Sequence, residues 1–437
     1  MALGPLPLAL LGALGFGAAV ALQPWIAVPV IVLTLPYYLH PRTFGGIEVS
    51  LTEAAILLGF VGVVVRGLVE RFSGAAVRLP RPSVVDWGAA ALLVAALLSL
   101  FVTEYPRQSL RELRWLIVEP LLVFYIARAT IAKPDQVRVV VVWSVVASGV
   151  FAALVSLAAL ALEGALFNPL ARATDPYLSP NHLGLFLGRA GAVAFAIALF
   201  APATIQMKDN ERRVAWLALI AIAVGLLRTL SLGAWTGFAA AALALSALRS
   251  RRWFVGTALV IAILLYVGIA VLPAGRTTGR LDPTTGTALF RLQIWTASLH
   301  MGADHPLLGV GLDNFLYQYR DSYMLPEAAE EPNISHPHNW LLNFWLELGL
   351  LGLAAALGLL AWTASAAWRL VRARPLPSDR LVGAATIGIF VDALVHGSID
   401  NSYFLVDAAV LWWLFIALVA LSTGPVPPPN RASGPVT

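Results

Sequence analysis

The chain has 437 residues, of which 59% are hydrophobic and only 12% are charged, with a formal net charge of +5 and a mean hydropathy of +0.80. Water-soluble domains are about half apolar and a quarter charged, so this composition excludes a soluble globular protein. The absence of cysteine excludes disulfides and thiolate chemistry. No soluble basic domain suited to nucleic acid is visible, and the surplus of arginine instead suits the anionic headgroups of membrane lipids.

Apolar runs of about 20 residues recur along the whole chain, and each is long enough to cross a hydrocarbon core roughly 30 Å thick. Inside lipid the backbone polar groups must satisfy one another, so such runs form either helices or the strands of a closed barrel. Barrel strands alternate apolar and polar residues, whereas segment 137–162 shows no alternation. The sequence therefore predicts an all-α polytopic membrane protein.

The predicted spans, in chain order, are 6–23, 25–40, 49–68, 86–103, 114–131, 137–162, 181–201, 213–231, 233–248, 253–272, 340–367, 380–397 and 404–422. We expect about 12 to 13 membrane helices, because the first pair and the pair at 213–248 are separated only by short breaks. Either pair could form one broken helix. The first run lacks a basic leading segment and a small-residue cleavage site, so we expect a retained helix and not a signal peptide.

Lysine and arginine concentrate in every second loop from residue 49 onward, which predicts that those loops are cytoplasmic and leaves the side of the N-terminus open. The remaining loops face outward, and 273–339 is by far the longest. Its aromatic residues recur at roughly helical spacing, which predicts short amphipathic helices. The expected division is an N-terminal bundle at 1–272, a long outward loop at 273–339, C-terminal helices at 340–422, and a disordered cytoplasmic tail at 423–437.

Three polar motifs stand out in the second half of the chain. Residues 335–339 read Ser-His-Pro-His-Asn and lead into an apolar run that contains Glu-Leu-Gly-Leu-Leu-Gly at 347–352. Before them come Arg291, Trp295 and the string His-Pro-Leu-Leu-Gly-Val-Gly at 305–311. Earlier still, Arg172 precedes Ser-Pro-Asn-His at 179–182.

In order and spacing, these motifs resemble the O-antigen ligase and O-antigen polymerase family from about residue 172 to the end; the first 170 residues match only in general character. One departure concerns residues 231–233, which read Ser-Leu-Gly where many family members have Ser-Arg-Gly. Arg228 lies one helical turn before Leu232 and is the candidate to replace the missing guanidinium.

The resemblance implies an inverting glycosyltransferase of the bacterial inner membrane with its active site facing the periplasm. Such an enzyme moves a glycan en bloc from undecaprenyl pyrophosphate to an acceptor hydroxyl, without metal or cofactor. Three acceptors stay open: the sugar of lipid A-core for an O-antigen ligase, a second lipid-linked glycan for a polymerase, and a protein hydroxyl for an O-oligosaccharyltransferase. The size of the chain and its single long outer loop favour the ligase.

The resemblance also supplies candidate roles. His338 is the candidate general base, since a histidine pKa near 6.5 suits proton abstraction at neutral pH. His336 and Asn339 would orient that base or the acceptor. Arg291 and Arg172 are the expected pyrophosphate ligands, because guanidinium groups bind phosphate oxygens in bidentate fashion, and Arg228 is a further one.

Each assignment has a structural alternative. Asn339 with His338 could simply cap a helix, and the three arginines could be solvated or sit at the headgroup level.

Four residues are expected to support this site: Asn181, Glu347, His396 and Asp400. Glu347 follows His338 by nine residues, which predicts that both lie on one helix face. Asp392, His396 and Asp400 recur at intervals of four and predict a polar stripe near the outer end of another helix. The alternative interpretations are helix packing for Glu347 and an internally satisfied polar ladder for the stripe.

Two other functional classes fit a membrane bundle. A transporter would favour two related halves and charges deep in the membrane, and a structural assembly partner would need no reactive cluster. The chain shows no evident internal repeat and concentrates its polar groups in one outward loop. This asymmetry favours chemistry at the membrane surface.

Overall fold

The computed structural model describes residues 6–44, 47–74, 82–131, 136–200, 209–271, 284, 286–329, 331–373 and 377–424. This part of the chain is a bundle of α-helices with one short antiparallel hairpin, β1 (Arg42–Phe44) and β2 (Ile47–Val49). The helices are α1 (Leu6–Leu22), α2 (Ala27–Thr34), α3 (Leu51–Phe72), α4 (Val84–Ser99), α5 (Pro106–Glu112), α6 (Glu119–Thr130), α7 (Gln136–Leu162), α8 (Pro180–Phe200), α9 (Asp209–Arg228), α10 (Leu232–Arg249), α11 (Arg251–Val271), α12 (Gly286–Asp304), α13 (Phe315–Gln318), α14 (Trp340–Ala373), α15 (Pro377–Gly397) and α16 (Val406–Thr423).

The all-α membrane fold predicted from composition is confirmed. Each predicted span coincides with a helix, and eight of the described helices are long and apolar enough to cross a membrane. Shorter apolar helices at Leu11–Leu22, Pro24–Tyr37 and Val84–Ser99 add to these. Residues 425–437, nearly all of the predicted tail, lie outside the described residues.

The break at 229–231 separates two distinct helices. Leu230 has a φ of 49°, in the left-handed region, so the backbone leaves the path of α9 at this residue. The Ser231 hydroxyl then accepts the Ala234 N–H at 3.5 Å and caps α10. The chain therefore turns between α9 and α10 and does not continue as one broken helix.

The centre of the bundle is formed by α8, α10 and α15, which pack against one another. Every residue in the membrane-length window of α8 is buried by its neighbours, whereas none in that of α11 is buried. α8 is rich in glycine and alanine, and such small residues let helices approach closely in a membrane, where burial of apolar surface gives no driving force. α15 packs against α8 and α10 and carries polar groups from the bundle centre to one end of the bundle.

The loops predicted to share one side of the membrane contact one another. Ser109 donates from its hydroxyl to the Leu312 carbonyl at 2.7 Å, and Tyr105 stacks on Tyr317 with ring centroids 3.9 Å apart. His40, the last residue of the predicted span 25–40, contacts the outward loop at 163–180, with its Nε2 2.6 Å from the Pro176 carbonyl oxygen. These contacts agree with the alternation of basic loops in the sequence.

The long loop contains the predicted short helices, with α12 as its main element. α12 buries Ile294, Ala297 and Met301 against Phe315, Tyr319 and Leu346. The Trp295 indole donates to the Pro337 carbonyl at 2.9 Å. This bond ties α12 directly to the segment that carries the two motif histidines.

Candidate active site

Asp400 is the centre of a cluster of imidazole groups at one end of the bundle. Its Oδ1 lies 3.3 Å from His338 Nδ1 and 3.6 Å from His336 Nε2, and its Oδ2 lies 3.9 Å from His396 Nε2. The Asp400 residue is only 3% exposed, whereas the His338 side chain is 25% exposed. The arrangement presents one histidine to the surroundings and holds a buried carboxylate behind it.

The cluster is built from two distant segments. His336 and His338 come from the end of the long loop, and Asp400 follows the end of α15 at Gly397. The predicted stripe is therefore correct for Asp392 and His396, which lie on α15, but wrong for Asp400. The chain turns after Gly397 and brings Asp400 back towards His396 through the loop.

The electrostatics of the cluster favour an ionised carboxylate at Asp400 and a neutral imidazole at His336. Burial alone raises the pKa of Asp400, but the neighbouring His336, His338 and His396 outweigh it and hold that pKa well below its usual value. Burial lowers the pKa of His336, although Asp400 opposes the shift. If the Asp400 carboxylate accepts the Nδ1–H of His338, the lone pair of His338 Nε2 is left to accept a proton from another group.

Asn339 caps α14. Its Oδ1 accepts the N–H groups of Leu341 and Leu342 at 3.0 and 3.3 Å, and its Nδ2 donates to the Ser398 carbonyl at 3.2 Å. The capping alternative for Asn339 is therefore correct, and the cap also joins the loop to the turn that carries Asp400. His338 itself has a φ of 49° and lies outside the helix.

The prediction that His338 and Glu347 share one helix face is wrong, because His338 lies outside α14. α14 begins at Trp340, so the helical period cannot be counted from His338. Glu347 is buried, and it lies close enough to Asp313 to interact with it electrostatically. It thus supports the loop around residue 313 and not the imidazole cluster.

Two of the sequence motifs bind each other. Val310 donates its N–H to the Leu346 carbonyl at 2.7 Å, and Leu350 donates to the Pro306 carbonyl at 2.9 Å. This exchange requires a break in α14 at Gly349, where φ is 66° and ψ is −175°, a conformation open essentially only to glycine. A Cβ on Gly349 would lie 1.9 Å from the Leu307 carbonyl oxygen. The glycines therefore fix the long loop against α14.

Arg291 lies on α12 beside the cluster. Burial lowers the pKa of its guanidinium, and Asp400 opposes the shift. Its Nε is buried and makes no hydrogen bond. A guanidinium that is mostly buried with an unused donor is suited to bind an anion.

Arg172 and Arg228 lie in a second group at the same end. Arg172 donates to the Thr229 carbonyl at 2.8 Å and to Asn181 Oδ1 at 3.1 Å. Arg228 Nη2 donates to the carbonyls of Ala165 and Asn168 at 3.1 and 2.9 Å. Both arginines therefore organise the loop at 163–180.

His182 connects the two groups and was not among the predicted site residues. It follows Asn181 at the start of α8 and interacts electrostatically with Asp400, His336 and His338. The signal was present in the sequence, because His182 belongs to the same Ser-Pro-Asn-His motif as Asn181.

Arg189 is a second site-supporting residue that the sequence interpretation missed. It is 1% exposed at the bundle centre, and its Nη2 donates to the carbonyl and hydroxyl oxygens of Ser402. Asp392 and Asp407 supply the neighbouring negative charges. An arginine inside an apolar span is itself a functional signal.

The possible metal-ligand atoms of His336, His338 and Asp400 all lie within 4.8 Å of one another, so these groups could also ligate a cation. The usual sequence criterion for a metal site is ligand spacing within one helix, and this chain shows no such spacing. That criterion cannot detect a cluster assembled from two distant segments.

Fold and site together define a polytopic membrane protein with a cluster of carboxylate and imidazole groups, and with arginines close to it, at one end of its bundle. Residues 217–357 match the family model described as O-antigen ligase. A stretch of 79 residues is 40% identical to a protein of Rickettsia bellii (strain RML369-C) named "Putative polysaccharide ligase", covering 17% of this chain and 19% of that protein. The chain thus aligns with about a fifth of that relative.

The resemblance inferred from the motifs is confirmed over residues 217–357, which include Arg228, Arg291, His336 and His338. These residues therefore lie in the part of the chain that is similar to the ligase family. Arg172, Asn181 and Asp400 lie outside the matched range, and their connection to it comes from the contacts described above.

Proposed function

We propose that this protein is an inner-membrane glycosyltransferase that moves a glycan en bloc from undecaprenyl pyrophosphate to an acceptor hydroxyl on the periplasmic side. The acceptor is the sugar of lipid A-core, so the enzyme acts as an O-antigen ligase. The observation that carries the proposal is the His338–Asp400 pair, 3.3 Å apart and beside the mostly buried Arg291, in a chain whose residues 217–357 match the ligase family.

In the proposed reaction, His338 Nε2 takes the proton of the acceptor hydroxyl. The acceptor oxygen forms a bond to the anomeric carbon of the donor, and the bond between that carbon and the pyrophosphate oxygen breaks on the opposite face. The configuration at the anomeric carbon is inverted. The products are the glycosylated acceptor and undecaprenyl pyrophosphate, and the proton on His338 is then lost to water.

The buried carboxylate and the arginines have separate tasks in this scheme. Asp400 stabilises the imidazolium that forms on His338, as an anion within hydrogen-bonding distance does. Arg291 neutralises the charge that develops on the departing pyrophosphate. Arg172 and Arg228, the second group of arginines, also bind the pyrophosphate. No step requires a metal ion, because the arginines supply the positive charge.

Three experimental arms test the proposal with purified protein in lipid nanodiscs. The protein is incubated with undecaprenyl pyrophosphate-linked oligosaccharide and with lipid A-core, a second lipid-linked glycan, or an acceptor protein. We expect product with lipid A-core from the wild type, and a loss of about 100- to 10,000-fold for His338→Ala. His300→Ala is the matched control, since His300 is exposed on α12. Product with only another acceptor would identify a polymerase or a protein O-oligosaccharyltransferase instead.

A transporter is the second candidate function, and the buried group of Arg189, Asp392 and Asp407 favours it. Charged groups inside membrane helices are typical of substrate and ion pathways. A transporter would move the lipid-linked glycan without breaking its glycosidic bond. Flux across proteoliposomes with an intact donor, and no product with any acceptor, would replace the glycosyltransferase proposal with this one.

A further inference from the structure

His336, His338 and Asp400 offer the ligand atoms that a zinc ion takes in proteins. Asp400 Oδ1 lies 3.3 Å from His338 Nδ1 and 3.6 Å from His336 Nε2. In a tetrahedral site with bonds of about 2.0–2.2 Å, the ligand atoms lie roughly 3.3–3.6 Å apart. The third separation, between the two imidazoles, is at most 4.8 Å, and a rotation of the partly exposed His338 ring closes it. In the part of the chain that the structure describes, no other group of three such side chains lies as close together.

The hydrogen bonding of His336 leaves its Nε2 open to a cation. Its Nδ1 lies 2.9 Å from the Ser335 hydroxyl oxygen, whereas its Nε2 is buried and has no hydrogen-bond partner. When Nδ1–H donates to Ser335, the lone pair of Nε2 faces the Asp400 carboxylate across 3.6 Å. Two lone pairs that face each other repel, whereas a cation between them binds both. Histidines that bind metals are typically fixed by a hydrogen bond from their other N–H.

His396 is a second imidazole without hydrogen bonds at the same carboxylate. Its side chain is fully buried and neither ring nitrogen has a hydrogen-bond partner, although Nε2 lies 3.9 Å from Asp400 Oδ2. A buried polar group without a partner is costly. When Asp400 Oδ1 binds an ion, a small shift of the carboxylate lets Oδ2 accept the Nε2–H of His396. His396 would then position Asp400, as a hydrogen-bonded neighbour commonly does for a carboxylate ligand.

The nearby charges set the strength of metal binding. Of the three ligands only Asp400 is an anion, and Arg291 adds a positive charge that interacts with it. A divalent ion at the site therefore keeps a net positive charge beside a guanidinium, and the repulsion between them weakens binding. The site thus suits an ion that binds and leaves, in contrast to structural zinc sites, which contribute folding energy outright.

We propose that His336, His338 and Asp400 form an inhibitory site for Zn²⁺, with water in the fourth position. The inhibition rests on the proposed function, which assigns His338 as the general base, whereas the binding site does not. A metal at Nδ1 of His338 takes the lone pair of that nitrogen, so the ring proton lies on Nε2. Nε2 then has no lone pair with which to accept the proton of the acceptor hydroxyl. The same ion neutralises the Asp400 carboxylate that would stabilise the imidazolium.

Calorimetric titration of Zn²⁺ into tag-free protein in nanodiscs tests the site without requiring turnover. His336→Ala and Asp400→Asn each remove one ligand. We expect the Zn²⁺ affinity of both variants to fall at least about 10- to 100-fold, the loss that follows even when only a residue that orients a ligand is changed. His300→Ala, at an exposed position on α12, is the matched control and should bind Zn²⁺ as the wild type does. Thermal melting checks that each variant is folded. Unchanged affinity in either ligand variant, or competition by equimolar Mg²⁺, which prefers oxygen ligands, would overturn the proposal.

The inhibition has its own test in the transfer assay. We expect saturating Zn²⁺ to reduce transfer about 100- to 10,000-fold, as the loss of a general base does, and EDTA to restore it. The Zn²⁺ concentration for half-inhibition should equal the calorimetric dissociation constant, which separates this site from Zn²⁺ bound to the donor pyrophosphate. Transfer that is unaffected or stimulated by saturating Zn²⁺, or a mismatch between the two constants, would overturn the inhibition. Zn²⁺ binding that requires His336 and Asp400, in a protein that transfers no glycan, would support the metal site and reject the proposed reaction.

Discussion

Asp400→Asn separates the proposed effect of a negative charge from the effect of shape. Asp400 Oδ1 accepts the N–H of Asn401 at 2.8 Å, and an asparagine oxygen can keep that bond. What the substitution removes is the anion 3.3 Å from His338 Nδ1. If the carboxylate stabilises the imidazolium that forms during transfer, turnover should fall while the fold persists.

The expected size of the effect follows from the geometry. Two unit charges 3.3 Å apart interact by about 1 kcal/mol in water and about 5 kcal/mol at an effective dielectric constant of 20. The His338 side chain is 25% exposed and Asp400 is buried, so an intermediate value applies. Hydrogen bonds to charged groups contribute roughly 1.5–3 kcal/mol net. We therefore expect kcat to fall about 10- to 150-fold.

The assay is steady-state transfer in nanodiscs with varied concentrations of the lipid-linked donor. Because Asp400 acts on the base and not on the pyrophosphate, the KM for the donor should change little while kcat falls. Thermal melting of the purified variant checks that the fold is retained. A variant with unchanged kcat and an intact fold would refute the His338–Asp400 mechanism, and a rise in KM alone would indicate a role in donor binding.

Four further predictions follow from the same structure. Arg291→Lys should lower turnover at least about 10-fold, since a point charge cannot reproduce a bidentate contact, whereas Arg320→Lys, at an exposed pair with Asp321, should have no effect in the same assay. Transfer should persist in EDTA, and a strict requirement for a divalent cation would instead assign His336, His338 and Asp400 as metal ligands. Gly349→Ala should destabilise the protein by more than about 2 kcal/mol in thermal melting, because the backbone conformation of Gly349 is open essentially only to glycine. Gly358→Ala in the same helix is the control. A Cβ there meets nothing within 4 Å, so this substitution should stabilise the protein slightly. Stability should fall as the pH drops below about 6.5, because the unfolded chain then binds a proton at His336 and the folded chain, in which the His336 pKa is lowered, does not. His336→Asn should weaken this pH dependence of stability. An identical pH profile in the variant and the wild type would contradict the prediction.

The helical bundle could be predicted from the sequence because membrane spans depend on local composition. Each apolar run is long enough to cross the lipid, and no distant contact is needed to recognise it. The break at Leu230 was harder to interpret, because its positive φ depends on the turn between two packed helices. The break at Gly349 could not be predicted, since its cause is the loop at 306–310 that packs against it.

The sequence predicted individual residues of the candidate site but not how they are arranged. His336 and His338 were identified from a local motif, and they do lie together. Asp400 was selected for a helical spacing that ends at Gly397, so it was found for the wrong geometric reason. His182 and Arg189 each had a local signal, but what they contact could not be predicted, because those contacts are with segments about 150 to 220 residues away in the chain.

Arg189 explains why the imidazole cluster requires charges deep in the bundle. A turn of irregular backbone at 398–405 must hold a buried carboxylate in place, and unpaired polar groups are costly when they are buried. Arg189 bonds the Ser402 carbonyl and hydroxyl oxygens, and the same hydroxyl donates to the Ala393 carbonyl at 2.6 Å. The guanidinium is itself stable there because Asp392 and Asp407 lie nearby on α15 and α16. The position of Asp400 two residues before Ser402 is thus set by an ionic group that no local pattern in the loop could reveal.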